Sequence, residues 1–259
     1  MLPVALGSST KLIGLVMHSR KEYVALMELH REVDPDRVDE VLKQFVGKIY
    51  QRPPLRSSVK RVLRIREIYY IEPIEFRGRY VLFRVGCQSG TYIRKLCHDV
   101  GLVLGVEAHM RELRRTATGH FREENGIYTL HEVSEALYLW RRYGYEDLLR
   151  RVVQPAELIV ANLPKIVIRD SAVDAIAHGA QLAVPGILKL HQGIKKGERV
   201  AVFTLKGELV AIGRAEMSSD EIVGGERGIA VRIERVFMEP GVYPAMWKRR
   251  RGEKSEQRG

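Results

Sequence analysis

The stretch from Ile65 to Leu104 constrains the fold more tightly than any other part of the sequence. Two runs of strand formers, residues 65 to 76 and 80 to 87, flank Arg77-Gly78-Arg79, a short glycine-containing turn suited to a hairpin. In the second run Val81, Phe83, Val85 and Cys87 alternate with Leu82, Arg84 and Gly86, so the strand has one apolar face and belongs to a sheet buried on that side. A helix follows directly. Thr91 stands where a cap is needed, Ile93, Leu96, Cys97, Val100 and Leu104 recur at helical spacing, and Gly105 ends the run. A one-faced hairpin followed by an amphipathic helix predicts helices layered on a mixed or antiparallel sheet, an α+β domain.

Neighbouring segments extend this layer. Residues 22 to 30 read as a strand with Tyr23 near its start. Asp34-Pro35 opens a helix with Val38, Val41, Leu42, Phe45 and Val46 on one face and Gly47 as its stop. Between Gln51 and Lys60 two prolines remove backbone donors, which predicts an exposed basic loop containing Arg52 and Lys60. Thr129-Leu130-His131-Glu132 has the spacing of a capping box and opens a further helix. Past Asn162-Leu163-Pro164 the texture changes to short strand-like runs separated by glycines: 165–168, 199–205, 208–215 and 229–236. That pattern predicts a small β-barrel or sandwich. The expected organisation is a domain over 1–162, a β-rich domain over 163–238, and an extension over 239–259 whose Lys248–Gly259 end, basic and without apolar residues, reads as a disordered tail.

Composition narrows the partner. The chain carries 43 Lys and Arg against 32 Asp and Glu, a net charge of +11, which favours a polyanion such as nucleic acid. No apolar run approaches the roughly 18 residues of a membrane span, and the N-terminal residues lack the form of a signal peptide, so an intracellular, cytoplasmic protein is expected. Cys87 and Cys97 form no CxxC pair and read as reduced core thiols rather than a disulfide or a zinc site. His30, His98, His109 and His178 are dispersed, and no metal-ligand motif is present, so no metal is expected. Glycine-rich phosphate loops and the nucleophile elbow of serine hydrolases are also absent.

Within this frame a few residues could carry chemistry. Arg94 lies in the first turn of its helix, where a cation opposes the helix dipole; a nearby carboxylate or phosphate would compensate, although a solvated surface arginine is the default. Arg114-Arg115 reads as a solvated face or a phosphate contact, and Tyr23 as a half-buried strand aromatic or a base-stacking platform.

At these residues the sequence resembles a known family. Lys21-Glu22-Tyr23-Val24, Gln51-x-Pro53-Pro54-x-x-Ser57-x-x-Lys60, Gly90-Thr91-Tyr92-Ile93-Arg94 and Ala108-His109-Met110-x-x-Leu113-Arg114-Arg115 follow the order and approximate spacing of the TruB-type pseudouridine synthases. His178-Gly179-Ala180-x-Leu182-x-x-Pro185-Gly186-Ile187 and Gly228-Ile229-Ala230 resemble a PUA domain, the RNA-binding module appended to these enzymes. Within the family the similarity is to the archaeal relatives of dyskerin that act in H/ACA guide-RNA particles. The resemblance implies isomerisation of uridine to pseudouridine in rRNA or tRNA: a flipped uridine is detached from its ribose, rotated and rejoined through carbon 5. It implies that Tyr23 stacks on the flipped base and takes part in removing the proton from carbon 5, that Arg94 pairs with the catalytic aspartate, and that Tyr92 and Leu113 wall the pocket. RNA contacts are expected from Lys21, Arg52, Lys60, His109, Arg114 and Arg115 in the first domain. In the second they are expected from His178, Gly179, Ala180, Pro185 and Gly186, with Lys206 and Arg214 nearby. No cofactor is implied. The implied partners are guide and substrate RNA and the particle's accessory proteins: a zinc-ribbon-like protein, a Gly/Arg-type protein and a kink-turn-binding ribosomal-like protein.

One departure matters. In the family the aspartate sits in a Gly-x-Leu-Asp-Pro loop just before a segment resembling Leu2-Pro3-Val4-Ala5-Leu6, and residues 1–259 contain no such motif. Asp34, Asp36, Asp39 and Asp99 fall in other elements. The polypeptide by itself is therefore expected to bind RNA without isomerising uridine, with a noncatalytic RNA-binding or assembly role as the alternative.

Overall fold

The computed structural model describes residues 1–53 and 60–246. Pro54 and Ser57 of the second motif and the Lys248–Gly259 tail lie outside these residues. Contacts divide the chain into two units, Met1–Ala5 with Ile13–Val153, and Leu6–Leu12 with the chain from Gln154 onward.

In the first unit a short helix, α1 (Ile13–His18), precedes β1 (Lys21–Leu29). Helix α2 (Pro35–Gln44) starts where Asp34-Pro35 requires: the Asp34 carboxylate accepts the Asp36 N–H at 2.9 Å, and proline occupies a first-turn position that needs no donor. Phe45 caps its end, and Gly47 begins a strand, β2 (Gly47–Gln51), instead of merely stopping the helix. The hairpin forms as β3 (Arg64–Arg77) and β4 (Tyr80–Cys87). Helix α3 (Ile93–Leu104) ends at Gly105, whose φ of 70° gives the left-handed cap. The expected Thr91 cap is corrected: Tyr92 is the cap residue, and the Thr91 hydroxyl instead donates to the Gln88 carbonyl at 2.7 Å, closing the turn before the helix. Next come β5 (Ala108–Thr118), β6 (Phe121–Arg122), α4 (Leu130–Tyr143) and α5 (Asp147–Val152). The α4 capping box is present, with the Thr129 N–H donating to Glu132 at 2.6 Å.

The strands form one antiparallel sheet in the order β2-β3-β4-β1-β5-β6. Ala25, Met27, Val81, Phe83 and Val85 point to one face, where Leu42 of α2 and Leu96 and Val100 of α3 close a fully buried core. On the outer side of β5, β6 pairs only with Ala117 and Thr118. Cys87 and Cys97 lie in this core, and burial pushes their thiols up to about 11 and about 12. At pH 8 about one Cys87 in a thousand would be a thiolate even if reagent could reach it. Both cysteines are expected to be inert to DTNB in native protein and to react fully in denaturant; rapid native labelling would contradict this packing.

The second unit contains β7 (Lys165–Ile168), α6 (Asp170–Ala177), β8 (Leu182–Ala183), β9 (Ile187–Leu190), β10 (Arg199–Phe203), β11 (Leu209–Ala215), α7 (Ser219–Gly224) and β12 (Ile229–Val236). Its sheet runs β8-β12-β11-β10-β7-β9, and only β7 and β10 pair in parallel. The apolar residues of the strands enclose a core that α6 closes with Val173 and Ile176. Helices α6 and α7 fall in stretches whose sequence suggested only connections between strands. The contact division also differs from a boundary at 162/163, because the Glu157 carboxylate accepts the Leu209 N–H at 3.1 Å and ties residues before Leu163 to the barrel. At the other end Tyr243 is buried, donates to Glu208 at 2.6 Å, and so packs residues past 238 onto the same unit.

Candidate functional site

Tyr23 sits on the helix-covered face of β1, opposite Val85 of β4 and Arg115 of β5, with Leu113 diagonal to it across from Ala25. It is half-buried, and the Arg115 guanidinium lies over its ring, 5.9 Å from the centroid. Burial pushes the Tyr23 phenol up, and Arg115 works against that rise. The Nε of Arg115 is buried and has no hydrogen-bond partner among the described residues. A guanidinium N–H held this way beside an aromatic ring can donate to a carboxylate or a nucleobase oxygen. Leu113 is 40% exposed, so apolar surface flanks this pair.

Tyr92 is fixed by both backbone groups, its N–H donating to Gln51 Oε1 at 3.0 Å and its carbonyl accepting from Gln51 Nε2 at 3.2 Å. Gln51 is 2% exposed and anchors the start of α3 to β2, a role the sequence did not indicate although Gln51 opens the second family motif. Arg94 follows in the first turn of α3, exposed and without an acidic partner among the described residues. Helix α3 packs on the same sheet face that carries Tyr23.

Strand alternation separates the expected RNA contacts. Arg115 and Leu113 share the face of Tyr23, whereas His109 and Arg114 project from the other face. There Arg114 pairs with Glu123 at 2.8 Å, and a cavity of about 550 Å³ is lined by Glu22, Arg84, Arg114, Thr116 and Arg122. His109 meets His30 at 3.0 Å and Glu28 at 3.5 Å, so two histidines that looked dispersed in sequence are adjacent; no group of three metal-binding side chains forms among the described residues. Lys21 turns inward, its ammonium donating to the carbonyls of Val16 (2.9 Å), Met17 (3.2 Å) and Ser19 (2.7 Å) at the end of α1. Arg52 and Lys60 are exposed.

In the second unit His178, Gly179 and Ala180 form an exposed corner after α6. Gly179 has φ of 92° and open space where a side chain would stand, so a ligand can approach its backbone. The surroundings of Gly186 are tighter. A Cβ there would lie 3.2 Å from Leu182 and 3.3 Å from Ala172, so this glycine serves packing. Pro185 is exposed and its carbonyl accepts from Arg169 at 3.1 Å. Lys206 precedes β11 and stacks on Tyr243, while Arg214 near the far end of β11 is held by Glu234 (3.0 Å) and the Gly197 carbonyl (2.8 Å). The two cations therefore do not form one patch.

Behind Tyr23, on the opposite face, Glu22 accepts hydrogen bonds from Tyr70 and from Thr116 (2.7 Å). Burial opposes the Glu22 charge, but these donors and Arg122 hold its carboxyl below the ordinary range. Burial, then the bond to Glu22, pushes Tyr70 up to about 12. The signs differ. Glu22, lowered on folding, contributes stability above the usual carboxylate range and loses it as pH falls through its depressed value. Tyr70, raised, contributes fully below about 10 and loses its share as pH rises through about 12. Tyr70→Phe is expected to flatten the alkaline limb of stability between these values, read from urea midpoints against pH; an unchanged limb would place the titration elsewhere.

Family models match along almost the whole chain: "TruB family pseudouridylate synthase (N terminal domain)" over residues 1–93, "tRNA pseudouridylate synthase B C-terminal domain" over 94–161, and "PUA domain" over 164–237. A "Probable tRNA pseudouridine synthase B" of Pyrococcus furiosus is 54% identical over 96% of this chain and 73% of its own length. One of Archaeoglobus fulgidus is 55% identical over 95% and 76%. Among solved structures, "Crystal Structure of a Cbf5-Nop10-Gar1 Complex" matches with a TM-score of 0.86 and 54% identity, covering 94% of this chain and 74% of that one. "Structure of H/ACA RNP bound to a substrate RNA containing 2'-deoxyuridine" matches with a TM-score of 0.87 and 50% identity, covering 94% and 74%. No helix of the described residues is long and apolar enough to cross a membrane.

Proposed function

The chain belongs to the TruB family of pseudouridine synthases and carries a PUA domain, and we propose that it isomerises uridine in RNA selected by a guide RNA within an H/ACA particle. One observation carries the placement of the chemistry. The Met1 ammonium donates to the Arg115 carbonyl at 2.9 Å, so a segment joined upstream of Met1 emerges beside the Arg115–Tyr23 pair. The family resemblance locates the aspartate loop immediately before the Leu2–Leu6 segment, and its carboxylate would enter there.

In this reading the flipped uridine stacks on Tyr23, with Leu113 and Tyr92 limiting access of water to the detached base. Arg94 takes the aspartate's charge, which agrees with its place in a helix N-terminal turn and its lack of another acid. The orphaned Nε of Arg115 supplies a further donor toward the base or the carboxylate. RNA is held by exposed cations, Arg52 and Lys60 among them, and by the open backbone at Gly179. We place the domain boundary at 162/163, with the PUA model beginning at 164 in support, and take rRNA as the substrate with tRNA as a second. The accessory proteins expected are those the solved relatives name, Nop10 and Gar1, together with a kink-turn-binding protein.

The test is tritium release from carbon 5 of uridine in an RNA paired to a guide. The assay uses a polypeptide extended upstream through the aspartate loop and assembled with guide RNA and accessory proteins. Turnover that follows the guide sequence supports the proposal. Release from tRNA alone with no response to the guide would reassign the protein to guide-independent modification.

A further inference from the structure

A β-bulge decides which face Arg115 occupies. Glu22 of β1 lies opposite Ala117 of β5, and a regular antiparallel ladder would then set Tyr23 opposite Thr116 and Val24 opposite Arg115. Instead the register shifts between Glu22 and Tyr23, so Tyr23 faces Arg115 and Thr116 is the extra residue. Without that insertion Arg115 would turn to the far face of the sheet, away from Tyr23, because side chains alternate strictly along a strand.

The bulge is tied down from behind. Thr116 is 8% exposed, and its hydroxyl donates to Glu22 at 2.7 Å. The same carboxylate receives the Tyr70 hydroxyl from β3, two strands away on the other side, and Arg122 of β6 lies 3.5 Å from it. Tyr70 reaches Glu22 by crossing β4 at Gly86, which pairs with both Glu22 and Tyr70. A Cβ at position 86 would fall 2.3 Å from the Tyr70 ring, so the crossing exists because the residue there is glycine.

We infer that Glu22, Tyr70, Gly86 and Thr116 are positioning residues, which fix the bulge at Thr116 and thereby hold Arg115 over Tyr23. None of them touches the reacting base in this arrangement. The inference rests on the assignment of Tyr23 to the uridine pocket, and its test has one arm that reads turnover and one that does not.

In the first arm Thr116→Val, Glu22→Gln and Gly86→Ala are introduced into the extended polypeptide in the assembled particle. Each is expected to lower kcat by about tenfold to a hundredfold, with KM for substrate RNA within about twofold, as for an ångström-scale displacement of a site group. Glu22→Gln combined with Thr116→Val should be no worse than the more severe single change, because both act through one bulge. In the second arm the Tyr23 ring is followed by NMR in residues 1–259 labelled at the tyrosine ζ carbon, with Tyr23→Phe assigning the resonance. Each variant should shift that resonance and move its titration to higher pH as Arg115 withdraws. Thr116→Ser keeps the hydroxyl and should restore both readouts.

An unmoved Tyr23 resonance in all three variants overturns the inference, as does Thr116→Ser faring no better than Thr116→Val. A wild-type particle without turnover would overturn the proposed function instead, and the resonance arm would still decide the positioning.

Discussion

Residues 1–259 alone, mixed with guide RNA and accessory proteins, are expected to bind RNA and release no tritium from labelled uridine. The same polypeptide extended upstream through the aspartate loop should turn over. Cleaving and remaking a glycosidic bond requires a positioned carboxylate. The nearby acids do not qualify: Glu22 projects from the opposite sheet face and is already engaged by Tyr70 and Thr116, and Asp99 lies midway along α3, paired with Lys95. Removing a nucleophile that works as part of a unit costs on the order of 10⁴-fold or more, which places turnover below detection. Binding survives because phosphate contacts are spread over many cations, each adding a salt-dependent share. Guide-RNA affinity should therefore be similar for the two forms and fall steeply with salt in both. Turnover by residues 1–259 would mean that another group does the chemistry.

What the sequence revealed and what it hid divide along a physical line. The β3–β4 hairpin, the Asp34 cap and the Thr129–Glu132 capping box were legible because each is specified by residues a few positions apart. Tyr23, Tyr92 and Arg94 were marked by a resemblance, and the fold brings Tyr23 and α3 to one face. Strand β2 was missed because all its residues but Gln51 are exposed or half-exposed at a sheet edge, where an apolar face is not needed. The Arg115 contact with Tyr23 was invisible for a different reason. It depends on a bulge whose hydrogen bond joins residues 94 positions apart, and local pattern cannot report pairing register. Likewise Lys21 and Arg214 looked like free cations, yet the first caps α1 and the second is bound by Glu234, because charge alone does not say what lies opposite it.

Gly101→Ala is expected to be the most damaging single methyl in the first unit. Gly101 lies in α3 where the helix backbone meets the start of β5: an added Cβ would stand 2.2 Å from the Ala108 nitrogen and 2.5 Å from the Glu107 carbonyl carbon. These are backbone atoms, which cannot rotate aside. The chain has no slack there either, since the Gly101 carbonyl already accepts the N–H groups of Val106 (3.2 Å) and Glu107 (3.1 Å), and the return from helix to strand uses positive φ at Gly105 and Glu107. Ordinary contact distances would require α3 and β5 to separate by roughly 1 Å. Overpacking of this kind costs about 3 kcal/mol or more when the obstacle cannot repack. The change should reach the proposed uridine pocket, because α3 and its cap carry Arg94 and Tyr92 while β5 carries Leu113 and Arg115. Stability should be read from hydrogen exchange of β1 and β4 amides, and kcat from the extended polypeptide. Gly105→Ala is the control: nothing lies within 4 Å of its Cβ position, so only the strain of φ 70° remains, worth about 1 kcal/mol. If the two substitutions prove equally costly, close packing is not what glycine provides at 101, and the spacing between the two halves of the pocket is set elsewhere.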